Sequence, residues 1–145
     1  MSVKTTIKNK FGTMVGWNKV TNNMLGRDIE GIKEIEYSDA TELENARGAG
    51  KFPIGRGEGN YEAKCSIELY VEEEIALQRS LPPGTNLSDI PPFDITVQYE
   101  YGSIKYKDRI RNCQFKGRSN GGKQGDKTLS HKNELIPSHI DWNII

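Results

Sequence analysis

Asn60-Tyr61-Glu62-Ala63-Lys64-Cys65-Ser66-Ile67-Glu68-Leu69-Tyr70-Val71 is the stretch whose pattern decides the fold. Tyr61, Ala63, Cys65, Ile67, Leu69 and Val71 alternate with Asn60, Glu62, Lys64, Ser66, Glu68 and Tyr70. A period of two sustained over twelve residues predicts a long β-strand with one greasy and one wet face. Phe93–Tyr101 repeats the pattern, with Phe93, Ile95, Val97, Tyr99 and Tyr101 set against Asp94, Thr96, Gln98 and Glu100. Gly102-Ser103 then turns the chain into 104–110, where Lys105, Lys107 and Arg109 occupy the polar face. Apolar parity changes between Ile110 and Cys113, which predicts a bulge near Arg111-Asn112.

Outward from these strands the signals weaken. Residues 32–43 read as a strand of looser alternation, with Ile35, Tyr37 and Leu43 in phase around polar Asp39 and Thr41. Residues 128–136 and 139–144 read as one strand interrupted at Pro137. The single expected helix is 72–81, which opens on Glu72, Glu73 and Glu74 and stops at Pro82-Pro83-Gly84. Val71, Ile75 and Leu81 would form its apolar stripe. Residues 1–27 have no clean period, although Phe11, Met14, Val15, Trp17 and Val20 imply packing. Residues 45–59 carry five glycines and are expected as a long loop; 82–92 and 117–127 are shorter polar connections. The chain reads as one domain over 1–145, all-β with one flanking helix.

Length and composition narrow the classes. The chain has 145 residues, 34% hydrophobic and 28% charged, enough for one domain with a thin core. No apolar run approaches the ~18 residues of a membrane span, and the Lys-rich start lacks a signal-peptide core. Twenty basic residues balance twenty acidic ones, but the signs are segregated. Residues 1–27 carry five bases and no acid, 28–100 sixteen acids and six bases, and 101–145 nine bases and four acids. An uncompensated basic surface of the kind a free nucleic-acid binder needs is therefore not expected; the segregation suits contacts between copies, and equally a fold that mixes the signs on one surface. Cys65 and Cys113 fall on apolar strand positions and are expected as buried free thiols, made in a reducing cytoplasm.

Motifs for chemistry are missing their partners. Gly117-Arg118-Ser119-Asn120-Gly121-Gly122-Lys123 spells most of a phosphate loop, but Gln124 stands where Ser or Thr should bind magnesium, and a strand follows. His131 and His139 have no metal-ligand spacing and are expected at the surface or an interface. The Glu72-Glu73-Glu74 run reads as a solvated helix start. No catalytic residues, metal or cofactor are expected. What stands out is structural: half-wet strands and a glycine-rich segment containing Arg47, Lys51, Phe52, Pro53, Ile54 and Arg56.

That segment carries a resemblance. Residues 48–70, Gly48-Ala49-Gly50-Lys51-Phe52-Pro53-Ile54-Gly55-Arg56-Gly57 followed by the Asn60 strand, resemble the long loop and following strand of phage tail tube proteins. The 32–43 strand, the 72–81 helix, the Ile90-Pro91-Pro92-Phe93 hairpin and the Asn112-Cys113-Gln114-Phe115 strand follow in that family's order over residues 28–145. The resemblance implies an antiparallel β-sandwich or split-barrel subunit. Six such subunits would join edge strands into a ring-wide barrel, and rings would stack into a tube in the virion tail. The lumen would pass double-stranded DNA or, in related contractile injection systems, protein effectors. It also implies tail-terminator, baseplate and tape-measure partners and no membrane. A ligand-binding β-barrel and an adhesion module stand as alternatives.

Two sets of residues follow as candidates. Arg47, Gly48, Gly50, Lys51, Phe52, Pro53, Ile54 and Arg56 form the expected contact loop between subunits or rings. Glu62, Lys64, Ser66 and Glu68, with Thr96, Gln98 and Glu100, are the expected lumen wall if the apolar strand faces pack inward. Those seven are net negative and would repel a passing duplex, unless Lys105, Lys107 and Arg109 share their face.

Overall fold

The computed structural model describes residues 15–101 and 104–144. The chain runs through a short turn of 3-10 helix (Trp17–Lys19), then β1 (Val20–Met24), β2 (Arg27–Asp28), β3 (Ile32–Arg47), β4 (Pro53–Tyr70), α1 (Val71–Arg79), β5 (Phe93–Tyr101), β6 (Ile104–Arg118), β7 (Ser130–Ile136) and β8 (His139–Asp141). Every strand pair is antiparallel, in the order β2-β1-β5-β6-β7-β4-β3. Thus 15–28, unassigned by periodicity, supplies one edge of the sheet. Residues 1–14, with Phe11 and Met14, lie outside the described residues, as does the Gly102-Ser103 turn.

Alternation places the core. Ala63, Cys65, Ile67 and Leu69 of β4 are buried in phase, as are Ile95 and Val97 of β5. Beta6 contributes Ile110, Cys113 and Phe115 to the same core, with Leu135 and Ile140 from the last two strands. The bulge expected in β6 is present. Pairing shifts from Ile95↔Ile110 to Phe93↔Cys113, and Asn112 sits at φ 53, which asparagine tolerates better than bulkier residues. Both cysteines are buried and free. Beyond Pro137, β8 keeps β7's register on β6, with Gln114↔Ile136 followed by Arg111↔His139 and Ile110↔Ile140. One interrupted strand therefore flanks β6.

The sheet is open but curled, so that its two halves face one another across the core. The clearest sign is Tyr37 of edge strand β3, whose hydroxyl lies 3.0 Å from the Tyr99 hydroxyl of β5 and donates to Asp108 Oδ2 of β6 at 2.6 Å. Burial, and then the bond to Asp108, push the Tyr37 phenol well above its usual value. Helix α1 caps one end of the curl. Its buried residues are Glu74 and Leu77, not the expected Val71-Ile75-Leu81 stripe, and Ile75 is exposed. The reason is the partner surface: β7 offers polar His131 and Asn133 there, so a carboxylate rather than a hydrocarbon fits against them. Gly31 lets the helix approach, since a β-carbon at that position would collide with Glu73 Cγ.

Candidate functional site

Beyond Thr41 and Tyr61, β3 and β4 leave the body together. Residues 41–60 are all exposed, yet pairing continues through Leu43↔Glu58, Glu44↔Gly57, Asn45↔Arg56, Ala46↔Gly55 and Arg47↔Pro53. The expected 45–59 loop is therefore mostly strand, a two-stranded arm whose turn occupies only 48–52. Glycine has little propensity for strands, but Gly55 and Gly57 still pair, because their backbone groups find partners on β3. Reading the glycine count as a loop missed this. The available signal was the near-equal length of chain on either side of Gly50.

The contact residues expected from sequence gather at the arm's end. Gly48, Gly50, Lys51 and Phe52 make the turn, Arg47 and Pro53 close the strands, and Ile54 and Arg56 follow on β4. Phe52 is 73% and Ile54 76% exposed, so the arm's end presents two large apolar side chains to water. Lys51 Nζ lies 5.6 Å over the Phe52 ring, and Arg56 Nε donates to Asn45 Oδ1 at 2.9 Å. The arm's root is clamped. Asp39 Oδ2 accepts from the Tyr61 hydroxyl at 2.7 Å and from Trp142 Nε1 at 2.9 Å, and Trp142 stacks 5.4 Å from Tyr37. The same Tyr61 oxygen accepts from the Ile140 amide at 3.2 Å.

The seven wall residues do not share one surface. Glu62, Lys64, Ser66 and Glu68 lie on the outer face of β4, while Thr96, Gln98 and Glu100 lie on the outer face of β5, with β6 and β7 between them. Because the inner faces of these halves look at each other, the outer faces look apart. The two faces differ in charge. On β5, Thr96 pairs with Arg109, Gln98 with Lys107 and Glu100 with Lys105, and directly paired residues share a face. On β4, Ser66 pairs with Glu36 and Glu134, and Glu68 with Glu34 and Lys132; Lys33 adds an ion pair to Glu68 at 3.4 Å. The β4 face thus stays net negative, with Glu34, Glu36, Glu62, Glu68 and Glu134 outnumbering Lys33, Lys64 and Lys132, whereas the β5 face is net positive.

Sequence reading also missed a buried polar knot. His131, expected at the surface or an interface, is 9% exposed, and its Nδ1 lies 2.7 Å from Oε2 of Glu74, which is 2% exposed. Its Nε2 sits 2.8 Å from the Gly121 carbonyl, and Asn133 Nδ2 donates to Glu74 Oε1 at 3.0 Å. The hydrogen bond to Glu74, then that to Gly121, raises the imidazole pKa against the opposing effects of burial and Arg118. This knot pins the glycine-rich 119–129 connection to α1. That stretch is irregular backbone, not a phosphate loop opening a helix. No group of three or more potential metal ligands occurs among the described residues, and no described helix is long and apolar enough to cross a membrane.

No known family profile matches the sequence, and no curated protein is similar to it in sequence. Solved structures are similar in shape. A chain of the sheath-tube complex of the PVC extracellular contractile injection system, in its extended state, superposes with a TM-score of 0.58 at 11% identity, over 88% of this chain and 89% of that one. A chain of the anti-feeding prophage tube-terminating cap gives 0.57 at 9% identity, over 89% and 90%. A chain of the PVC sheath/tube terminator gives 0.56 at 10% identity, over 90% and 96%. These likenesses cover 88–90% of the chain, which therefore has the all-β fold with one flanking helix seen in those injection-system chains.

Proposed function

We propose that the chain is a structural, non-enzymatic subunit of an inner tube, assembling with copies of itself into rings that stack into a conduit. The observation that carries this reading is the arm: twenty consecutive exposed residues in a paired ribbon, on a fold otherwise seen in tube assemblies. An isolated two-stranded ribbon is marginal in water, so an arm of this length makes sense where a neighbour covers it. The free edges of β3 and β2 offer the same logic, since strand joining around a ring removes them. Six subunits per ring is the number the tail-tube resemblance implies.

A contractile injection system, with protein effectors as cargo, is the reading favoured over a DNA-conducting phage tail, because the similar structures come from such systems. Partners would then include a terminator at one end of the tube and a baseplate at the other, with a tape-measure-type protein setting length. The lumen wall in this reading is the outer face of β4, which β3 and β7 extend into one continuous surface. Its net negative charge would keep acidic cargo from adhering. The DNA-conducting reading rests on the sequence pattern of residues 28–145 alone.

Electron microscopy of the purified protein over a wide concentration range tests the assignment. Rings or tubes with a central channel are expected. Monomers alone at every concentration, including with nucleating tube ends supplied, would overturn it.

A further inference from the structure

The arm tip and the far end of its own strand are chemically complementary. At the tip, Arg47, Lys51 and Arg56 surround Phe52 and Ile54. At the opposite end of β4, a hollow beside the start of α1 is lined by uncharged Gly31, Tyr70, Ala76 and Thr128 and by charged Arg27, Glu72 and Glu73. Arg27 is paired with Glu73 at 2.6 Å, so its charge is already matched. Exposed Glu72 has no ion-pair partner among the described residues, and exposed Asp28, at the end of β2, and Glu30 precede Gly31 in the chain. A cationic, aromatic tip thus has a counterpart with acidic and uncharged lining residues.

The two ends cannot meet within one molecule. Beta4 is 18 residues long, which at about 3.3 Å per residue separates tip and hollow by roughly 55–60 Å. We infer that the arm tip of one copy docks in the hollow beside α1 of the next copy, Phe52 against its uncharged lining and Arg47 and Lys51 toward Glu72 and Glu30. This names the receptor for the arm and rests on the tube reading above. Donor and acceptor are different patches, so the contact is head-to-tail; such contacts propagate along a line or close into a ring instead of stopping at a dimer. The clamp of Asp39 by Tyr61 and Trp142 favours this, since it holds the root and limits the directions in which the tip is presented.

Charge reversal and cross-linking test the pairing. R47E/K51E at the tip and E30K/E72K at the hollow should each raise the concentration needed for assembly by about tenfold or more. All four changes in one chain should restore it, because each swapped tip then meets a swapped hollow. Glu73 is left alone, since it also accepts from the Gly31 amide. In a second variant, Phe52→Cys with Ala76→Cys, a short bis-maleimide should link assembled chains into a ladder, the native thiols being buried. If the wild type assembles but the reversals leave assembly unchanged and no ladder forms, the docking is overturned while the tube reading stands. A wild type that never assembles removes both.

Discussion

His131 Nδ1 and Glu74 Oε2 lie 2.7 Å apart, with His131 9% and Glu74 2% exposed. The contact joins β7 to α1, and through the Gly121 carbonyl it holds the connection between β6 and β7. Glu74 also accepts from Asn133, so both of its oxygens are used. Removing one member of such a buried pair strands the others. Glu74→Ala should therefore destabilise the fold by about 3–5 kcal/mol, measured by urea unfolding. A loss below about 1 kcal/mol would mean that water reaches the site and satisfies His131 and Asn133.

The same pair makes stability depend on pH in a defined direction. Its folded-state pKa is raised by the Glu74 and Gly121 hydrogen bonds above the unfolded value of about 6.5, so the charged imidazole favours the fold. That contribution is complete below the unfolded value and is lost as pH rises through the folded one. The His131 resonances followed by NMR should titrate above about 6.5, and thermal stability should decline across the same interval. His131→Gln should remove this segment of the pH profile. A titration below the ordinary histidine range would reverse the sign and refute the charged pair.

Tyr37 ties the two halves of the curl together. Its hydroxyl donates to buried Asp108, which also accepts from the Asn143 amide at 3.0 Å. Tyr37→Phe keeps the ring against Trp142 but removes one donor from a buried carboxylate, at a cost of about 1–3 kcal/mol. Denaturant melts compared with the wild type give the number. An unchanged midpoint would show that the halves are held by core packing alone.

The arm separates stability from assembly. Replacing residues 44–57 by an Asn-Gly turn rejoins β3 to β4 at the Leu43↔Glu58 pair with a favoured two-residue hairpin. No buried side chain is removed, because everything from 41 to 60 is exposed. The thermal midpoint should move by no more than a few degrees, while rings and tubes disappear from electron micrographs. Normal polymerisation by the shortened protein would show that the arm is not an assembly element.

By contrast, Leu69→Ala acts on the body. Leu69 is 1% exposed in the strand whose alternation set the fold. Truncation should cost about 2–5 kcal/mol through lost burial and the cavity left behind. Its effect on assembly should follow only from the loss of folded protein, so unfolding and assembly measured on the same samples should decline together.

Much of this was legible without a structure because it depends on neighbours in sequence. The two-residue period of 60–71 and 93–101 decided which side chains enter the core, since successive strand residues point to opposite faces whatever they pack against. The parity break at Arg111-Asn112 and the interruption at Pro137 are likewise local, and so are Cys65 and Cys113 as buried thiols. Tertiary structure decided the rest. Whether 45–59 loops freely or pairs depends on the strand opposite, which glycine counting does not reveal. Whether Thr96, Gln98 and Glu100 share a surface with Glu62 and Glu68 depends on how far the sheet curls, and the curl turned the two sets apart. His131 and Glu74 are 57 residues distant along the chain; each alone looks like a surface residue, and only the packing of α1 on β7 removes both from water together.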